Sequence, residues 1–215
     1  VRLHDQLNKP WPKLLILEKV SSLHKISVGK NSISIGPMVT FAEIEKSAIL
    51  KKHAPQLVEA ASLAGSVQIR NRATIGGNIA NGSPAGDLIP PLFVLGARLE
   101  LSSIRSKRLV PIEEFYTGPG LTVLKSNELI TSIKLTKIIN HGFFLRLATR
   151  KALAISKVSV ASSAMIKKGK VVEIKIALGA VAPTVLRAIA TEEFLKDKTM
   201  DFDNIEKAGE IAKGE

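Results

Sequence analysis

The chain has 215 residues, of which 45% are hydrophobic and 23% charged, and its formal net charge is +12 at pH 7. This composition is typical of a globular protein, and no run approaches the roughly 20 apolar residues of a membrane-spanning helix. Cysteine is absent, which excludes disulfides, thiolate nucleophiles and cysteine-ligated metal clusters within this chain. We therefore expect a protein without a metal of its own. Because the first residues lack the basic and then apolar pattern of a signal peptide, we also expect it to be cytoplasmic.

The first quarter of the chain predicts two strands and a helix. The apolar run 14–17 predicts a buried strand, and the alternation of residues 32–35 predicts a second one. Thr40 and Glu43 form the S/T-x-x-E pattern of a capping box, in which each side chain accepts a hydrogen bond from the backbone of the other residue. We therefore expect a helix to begin there and to continue to residue 49 or 50.

Proline and glycine mark the bounds of two further helices. Pro55 suits the first turn of a helix that ends before Gly65. Asp87 is predicted to cap the other helix, which carries two prolines in its first turn and Gly96 past its end.

The remainder of the chain predicts antiparallel strands followed by two helices, with a basic turn at 167–170 joining two strands as a hairpin. We expect an α+β fold with a mainly antiparallel sheet over residues 1–142 and a small ββαα domain over residues 143–215. The predicted strands cover 98–102, 108–111, 128–135, 143–147, 158–166 and 171–178, and the predicted helices cover 188–196 and 202–213.

One passage, residues 73–88, concentrates groups that suit a nucleotide cofactor. Gly76 and Gly77 lack Cβ atoms, so their backbone could approach a ligand and offer consecutive N–H groups to a phosphate. Asp87 could accept hydrogen bonds from ribose hydroxyls, and short uncharged polar side chains are supplied by Thr74, Asn78 and Asn81. The alternative interpretation is that the glycines mark ordinary turns. The passage is not a G-x-G-x-x-G motif, and the chain has no G-x-x-x-x-G-K-[ST] motif.

Several stretches together resemble a known family of flavoproteins. Residues 68–78, followed by Ser83-Pro84-Ala85-Gly86-Asp87, are similar to the second FAD motif of the medium subunit of carbon monoxide dehydrogenases, aldehyde oxidoreductases and xanthine dehydrogenases. Further stretches resemble other segments of that subunit, namely 32–40, 112–120 and 128–133, and the region from Phe143 onward resembles its C-terminal domain. The resemblance covers essentially the whole chain.

The resemblance implies a FAD-binding domain of the vanillyl-alcohol-oxidase/PCMH type, followed by a C-terminal flavoprotein domain. It implies that the FAD pyrophosphate region is bound by Thr74, Gly77 and Asn78, with Ala80 and Asn81 beside it. Gly86 and Asp87 would hold the adenosine side, where Asp87 accepts from the ribose. Arg146 would lie near the isoalloxazine, the alternative being an exposed strand arginine. Leu129 and Ile130 would lie against the flavin, the alternative being plain strand core. The residues implied to bind FAD are Thr74, Gly76, Gly77, Asn78, Ala80, Asn81, Gly86, Asp87, Leu129, Ile130 and Arg146.

The implied function is that of the FAD-carrying subunit of a molybdenum hydroxylase. Electrons would pass from iron–sulfur clusters on a small partner subunit to FAD and then to an external acceptor, while a large partner subunit with molybdopterin oxidises the substrate. No catalytic acid, base or metal ligand is expected in this chain. The family has an earlier glycine-rich loop before a segment like residues 1–12, and its C-terminal domain is longer. We therefore expect this chain to be trimmed at both ends.

Two other functions remain open from the sequence. One is a stand-alone FAD-dependent oxidoreductase, which would need a substrate pocket within the same chain. The other is a basic nucleic-acid-binding module, suggested by the net charge of +12. The basic residues are spread along the chain and aromatic residues make up only 4%, so we expect no nucleic-acid partner.

Overall fold

The computed structural model describes residues 15–137, 141–150 and 154–215. We call residues 15–137 the first lobe and the described residues from 141 onward the second lobe. Every strand pairing among these residues is antiparallel, which confirms the mainly antiparallel sheet expected from the sequence. Within the described part of the chain, none of the helices has the length and apolar character needed to cross a bilayer.

The first lobe is built on a five-stranded sheet in the order β1-β2-β7-β3-β4. Ile35, Ile133 and Leu99 face one another across its three central strands, and each is 0% exposed. Full burial of one such side chain contributes roughly 1.5–3 kcal/mol, so this row helps to fix the register of the strands. The strands are β1 (Ile26–Val28), β2 (Ser32–Ile35), β3 (Arg98–Ser102), β4 (Lys107–Pro111) and β7 (Leu129–Thr136), and a separate hairpin is formed by β5 (Tyr116–Gly118) and β6 (Leu121–Thr122).

The capping box predicted at Thr40 is confirmed, but the helix that it opens is shorter than expected. The Glu43 N–H donates to Thr40 Oγ1 at 3.2 Å, and the Thr40 N–H donates to Glu43 Oε2 at 2.7 Å. Ser47 then ends this helix and caps the next one by accepting from the Leu50 N–H, so the single predicted helix is two. The helices of the first lobe are α1 (Phe41–Lys46), α2 (Ala48–His53), α3 (Pro55–Leu63), α4 (Val67–Arg70), α5 (Ile75–Asn81) and α6 (Ile89–Val94).

The buried strand predicted over residues 14–17 is wrong in the part that the structure describes. Leu15 and Ile16 are 73% and 71% exposed, and residues 15–17 are not in a strand. A short apolar run without alternation does not itself specify a strand, because it forms one only where a neighbouring strand accepts its hydrogen bonds. Residue 14 lies outside the described residues.

The second lobe is a four-stranded sheet, in the order β11-β10-β9-β8, with two helices. One face of this sheet packs on α3 and α6, and through Phe144, Ala161 and Ala177 it joins the core of the first lobe. The other face carries α7, which also contacts α8. The predicted domain boundary between residues 142 and 143 falls within β8 and stays a prediction. The elements are β8 (His141–Ala148), β9 (Ser156–Lys167), β10 (Lys170–Gly179), β11 (Leu186–Arg187), α7 (Ile189–Leu195) and α8 (Phe202–Ala212).

Candidate functional site

The glycine pair of the 73–88 passage lies in the first turn of α5 and not in a loop. Thr74 is the N-cap, and its Oγ1 accepts from the Gly77 N–H at 3.1 Å. The Gly76 N–H donates to the Pro37 carbonyl at 2.8 Å, and the Asn78 N–H donates to the Thr74 carbonyl at 3.0 Å. The expectation that these consecutive N–H groups are free to bind a phosphate is therefore wrong, because a capped helix already uses them, and the alternative of ordinary turns at the glycine pair is wrong as well.

The two glycines serve different purposes. A Cβ on Gly76 would lie 2.5 Å from Pro37 Cβ and 2.8 Å from the Pro37 carbonyl oxygen, so Gly76 allows α5 to approach the segment before α1. Gly77 is exposed, and a Cβ there would have only Thr74 Oγ1 nearby, at 3.0 Å. Packing against Pro37 thus requires glycine at position 76. Gly77 leaves the adjacent surface of α5 without a side chain, and we call this the bare surface of α5.

A cavity of about 240 Å³ lies beside this bare surface, between α5 and β7. It brings together six of the predicted site residues, and these are Thr74, Gly76, Gly77, Ala80, Leu129 and Ile130. Sequence reasoning missed four further residues of its lining, and these are Leu17, Pro37, Met38 and Leu124. Pro37 and Met38 lie in a stretch already singled out by the resemblance, but Leu17 and Leu124 reach the cavity from distant loops without a local signal.

The two asparagines predicted to bind the cofactor, Asn78 and Asn81, differ in their exposure on α5. Asn78 is half-buried, and its Oδ1 atom is buried without a hydrogen-bond partner among the described residues. Asn81 is exposed, and Gly82 ends the helix with a φ of 60°, a left-handed conformation that favours glycine. Neither asparagine lines the cavity. A buried acceptor without a donor costs free energy, so Asn78 is a place where a ligand could add a hydrogen bond.

A half-buried ion pair holds the loop that supplies Leu124. Arg108 donates from Nε to Glu128 Oε1 and from Nη2 to Glu128 Oε2, both at 2.8 Å, and Nη2 also donates to the Val123 carbonyl. The Lys125 N–H donates to Glu128 Oε2 at 3.0 Å. The hydrogen bonds from Arg108, and then that from Lys125, lower the pKa of Glu128 from its ordinary value of 4.5 to about 2. Glu128 is therefore ionised at neutral pH and fixes residues 123–128 before β7 begins.

Asp87 and Arg146 form a buried pair that neither residue's predicted role anticipated. Arg146 Nη1 donates to Asp87 Oδ2 at 2.8 Å, and Ser156 Oγ donates to Asp87 Oδ1 at 2.6 Å. The Arg146 side chain is only 5% exposed, so the alternative of an exposed strand arginine is wrong. Burial raises the pKa of Asp87, although the hydrogen bonds from Ser156 and Arg146 favour its charged form.

The prediction that Asp87 caps α6 is also wrong. The N-cap is Leu88, and no side chain caps this helix. The physical reason is that the Asp87 carboxylate accepts from Arg146 and Ser156 of the second lobe and so does not cap α6. Neither Asp87 nor Arg146 lines the cavity beside α5.

The lining of the cavity suits an apolar group and does not suit acid–base chemistry. None of the described residues that line it is ionisable, and most of them are apolar. Among the described residues there is also no group of three or more histidine, aspartate or glutamate side chains placed to hold a metal ion. Any reaction at this site therefore depends on the chemistry of a bound group, which the chain positions.

The amino-acid sequence matches known protein families over nearly its whole length. Residues 1–137 match the family described as the FAD binding domain in molybdopterin dehydrogenase, and residues 143–215 match the CO dehydrogenase flavoprotein C-terminal domain. The chain therefore belongs to the family of FAD-binding subunits of the molybdopterin-dependent dehydrogenases, a family of oxidoreductases.

Individual relatives support the same assignment. The xanthine dehydrogenase FAD-binding subunit of Escherichia coli O157:H7 is 30% identical over 215 residues, which are 98% of this chain and 73% of the relative. The carbon monoxide dehydrogenase medium chain of Hydrogenophaga pseudoflava is 28% identical over 200 residues, or 93% of this chain and 70% of the relative. The chain thus spans somewhat more than two thirds of the length of these relatives.

Solved structures share the fold. Carbon monoxide dehydrogenase from Hydrogenophaga pseudoflava superposes with a TM-score of 0.85 at 30% identity, over 89% of this chain and 67% of that one. Quinoline 2-oxidoreductase from Pseudomonas putida 86 gives a TM-score of 0.84 at 28% identity, over the same shares of the two chains. These values confirm the expected fold class, a FAD-binding domain followed by a small C-terminal domain.

The residues of the site fit the cofactor of this family. The apolar cavity between α5 and β7 suits an aromatic ring system, and the bare surface at Gly77 leaves α5 open to close approach. The unpartnered Oδ1 atom of Asn78 offers an acceptor one residue further along the same helix. Because the chain belongs to a family of FAD-binding subunits, FAD is its cofactor, and the cavity is the candidate site.

Proposed function

We propose that this chain is the electron-transfer subunit of a molybdenum hydroxylase. Iron–sulfur clusters on a small partner subunit supply electrons to the FAD held here, and an external acceptor receives them. Molybdopterin on a large partner subunit oxidises the substrate. The observation that carries the proposal is a cavity whose described lining has no ionisable side chain, in a chain without cysteine. Such a chain can hold a flavin but offers no acid, base or cluster ligand of its own beside it.

Within the proposed site, the cavity receives the flavin end of the cofactor. Leu129 is 39% exposed and Ile130 is buried, so β7 presents one accessible and one buried apolar side chain to the cavity. When bound, FAD supplies the redox chemistry, and the chain excludes water from one side of it. We propose that the cofactor-binding set is the one predicted from the sequence, with Thr74, Gly76, Gly77, Asn78, Ala80 and Asn81 along α5, Gly86 and Asp87 on the adenosine side, and Leu129 and Ile130 towards the flavin. Arg146, which the resemblance placed near the flavin, belongs to this set through its contact with Asp87.

For Arg146 the described contacts favour a supporting role over a flavin contact. Its Nη1 and Nη2 atoms donate to Asp87, to the Ala154 carbonyl and to the Leu63 carbonyl. These bonds use most of the guanidinium fork, and the side chain is 5% exposed. Its part in the proposed site is therefore through Asp87.

The proposal includes a cytoplasmic location and a complex with both partner subunits. It is tested on the complex purified from its native cells through a tag on this subunit. We expect the denatured complex to release FAD, and the two partners, carrying iron–sulfur clusters and molybdopterin, to co-purify. A complex that releases no flavin would contradict the proposal.

A second measurement separates electron transfer from a stand-alone flavoenzyme. In the purified complex under anaerobic conditions, reduction through the molybdopterin subunit should bleach the flavin absorbance, and the isolated flavin subunit should not turn over with the same reductant. If the isolated subunit turns over as fast as the complex, the chain is a stand-alone oxidoreductase and the electron-transfer proposal is wrong.

A further inference from the structure

The loop that follows α5 is held from the second lobe at two points. The Pro84 carbonyl accepts from the Ala180 N–H at 2.9 Å, just after β10 ends. Three residues further on, the Asp87 carboxylate accepts from Ser156 in β9 and from Arg146 in β8. Strands β8 and β9 and the residue that follows β10, all in the second lobe, therefore contact one short loop of the first lobe.

The donors to Asp87 are themselves fixed in position. Arg146 also donates to the Leu63 and Ala154 carbonyls, and Ser156 is 5% exposed. From the described residues each Asp87 oxygen accepts one hydrogen bond, and a carboxylate offers about four acceptor positions in all. Ser156 and Arg146 thus set the rotamer of Asp87 while leaving it able to accept from one more group.

The same loop is joined to the wall of the cavity. Gly82 ends α5, and its carbonyl accepts from the Gly120 N–H at 2.9 Å. Inside the loop, the Gly86 N–H donates to the Ser83 carbonyl at 2.9 Å and the Ala85 N–H donates to Ser83 Oγ. These bonds hold the segment from the end of α5 to Asp87 in one conformation, so a shift of Asp87 also moves Gly86.

We propose that Ser156 and Arg146 are positioning residues for the adenosine side of the FAD site, so that FAD binding requires the second lobe although neither side chain lines the cavity. This inference rests on the proposed function of the chain. It makes the second lobe part of the cofactor site through the loop that it holds. Loss of either donor lets Asp87 change rotamer and releases the loop, which lowers FAD affinity.

The test compares two variants that each remove one buried hydroxyl donating to a carboxylate at 2.6 Å. Ser156→Ala removes the donor to Asp87, and Thr191→Val, in α7 on the other face of the sheet, removes the donor to Glu215. The dissociation constant of FAD is measured by quenching of flavin fluorescence, and the stability of the FAD-free protein by urea unfolding. We expect Ser156→Ala to weaken FAD binding about five- to tenfold, the effect of one hydrogen bond, and Thr191→Val to leave it unchanged.

Two further variants separate positioning from general destabilisation. Ser156→Thr keeps a hydroxyl donor and should restore most of the affinity, and Arg146→Lys keeps the charge but loses the fork and should weaken binding. The double variant Asp87→Asn/Ser156→Ala should bind FAD no worse than Asp87→Asn alone, because Ser156 acts through Asp87.

The outcomes distinguish this inference from the function on which it rests. If the unmodified chain fails to bind FAD in its complex, the proposed function is wrong and the inference falls with it. If the unmodified chain binds FAD and Ser156→Ala binds it equally well, only the inference is overturned. Equal weakening by Ser156→Ala and Thr191→Val would also overturn it, since that result reports stability alone.

Discussion

Thr40 and Thr74 pair as an antiparallel bridge, and each of them caps a helix that begins at the next residue. The Phe41 N–H donates to the Ala73 carbonyl, and the Ile75 N–H donates to the Val39 carbonyl, both at 3.0 Å. Each helix start therefore uses an acceptor from the segment that precedes the other helix. The wall of the candidate FAD site is fixed by α1, which lies more than thirty residues earlier in the chain.

The paired caps give the first prediction. Thr40→Ala and Thr74→Ala should each lower the free energy of unfolding by about 1 kcal/mol, since each removes an N-cap side chain. Only Thr74→Ala should weaken FAD binding, because only Thr74 lines the cavity. Urea unfolding and flavin fluorescence measure the two effects, and Thr74→Ser should restore both. Equal FAD affinity in the two alanine variants would contradict the assignment of this cavity as the FAD site.

The second prediction concerns acid stability and Glu128. Its pKa is about 2 in the folded chain, below the ordinary value of 4.5, so the folded state binds a proton less readily than the unfolded state. The stabilisation that this carboxylate provides is complete above pH 4.5 and is lost as the pH falls through 4.5 towards 2. The free energy of unfolding should therefore fall less steeply over this range in Glu128→Gln than in the unmodified chain. Parallel curves would show that Glu128 is not held by Arg108 in solution.

The third prediction contrasts the two neighbouring glycines. Gly76→Ala should destabilise the chain by about 1–3 kcal/mol, because the new methyl group overlaps Pro37. Gly77→Ala should change stability by less than about 1 kcal/mol, since its methyl group meets only Thr74 Oγ1 and alanine favours the helix. Thermal unfolding of the two variants measures this difference in stability. The reverse order of stabilities would show that α5 does not lie against Pro37.

Much of the fold could be predicted because its signals are local. The alternation of β2, the capping box at Thr40 and the Pro55 start of α3 are each carried by residues within one turn or one strand. The hairpin of β9 and β10 follows from two apolar runs joined by a basic turn. Such features need no knowledge of the rest of the chain.

The site was harder to predict because its geometry depends on contacts between distant segments. Gly76-Gly77-Asn78 has low helix propensity, yet it is helical because Thr74 caps it and Pro37 accepts from Gly76. Asp87 and Arg146 are 59 residues apart, and no local pattern indicates their pairing. The resemblance implied a set of site residues, and the structure shows that Asp87 and Arg146 of that set pair with each other and do not line the cavity.

The fourth prediction follows from that buried pair. Arg146→Met leaves the Asp87 carboxylate buried without its cation and should cost about 3–5 kcal/mol of stability. The double variant Asp87→Asn/Arg146→Met should be more stable than the sum of the single effects, because it removes both charges. Urea unfolding of the three variants forms the cycle. If the changes in unfolding free energy of the two single variants simply add up in the double variant, the ion pair is not formed in solution.

The most direct test of the account is FAD binding to the complex when the cavity beside α5 is filled. Gly77→Leu places a side chain at the bare surface of the cavity, and Gly209→Leu is the matched control, a helical glycine in α8 with no atom near its Cβ position. We predict that FAD binding is lost in Gly77→Leu and kept in Gly209→Leu, with both proteins folded. If the two variants bind FAD equally well, the cofactor does not lie against α5 and the site assigned here is wrong.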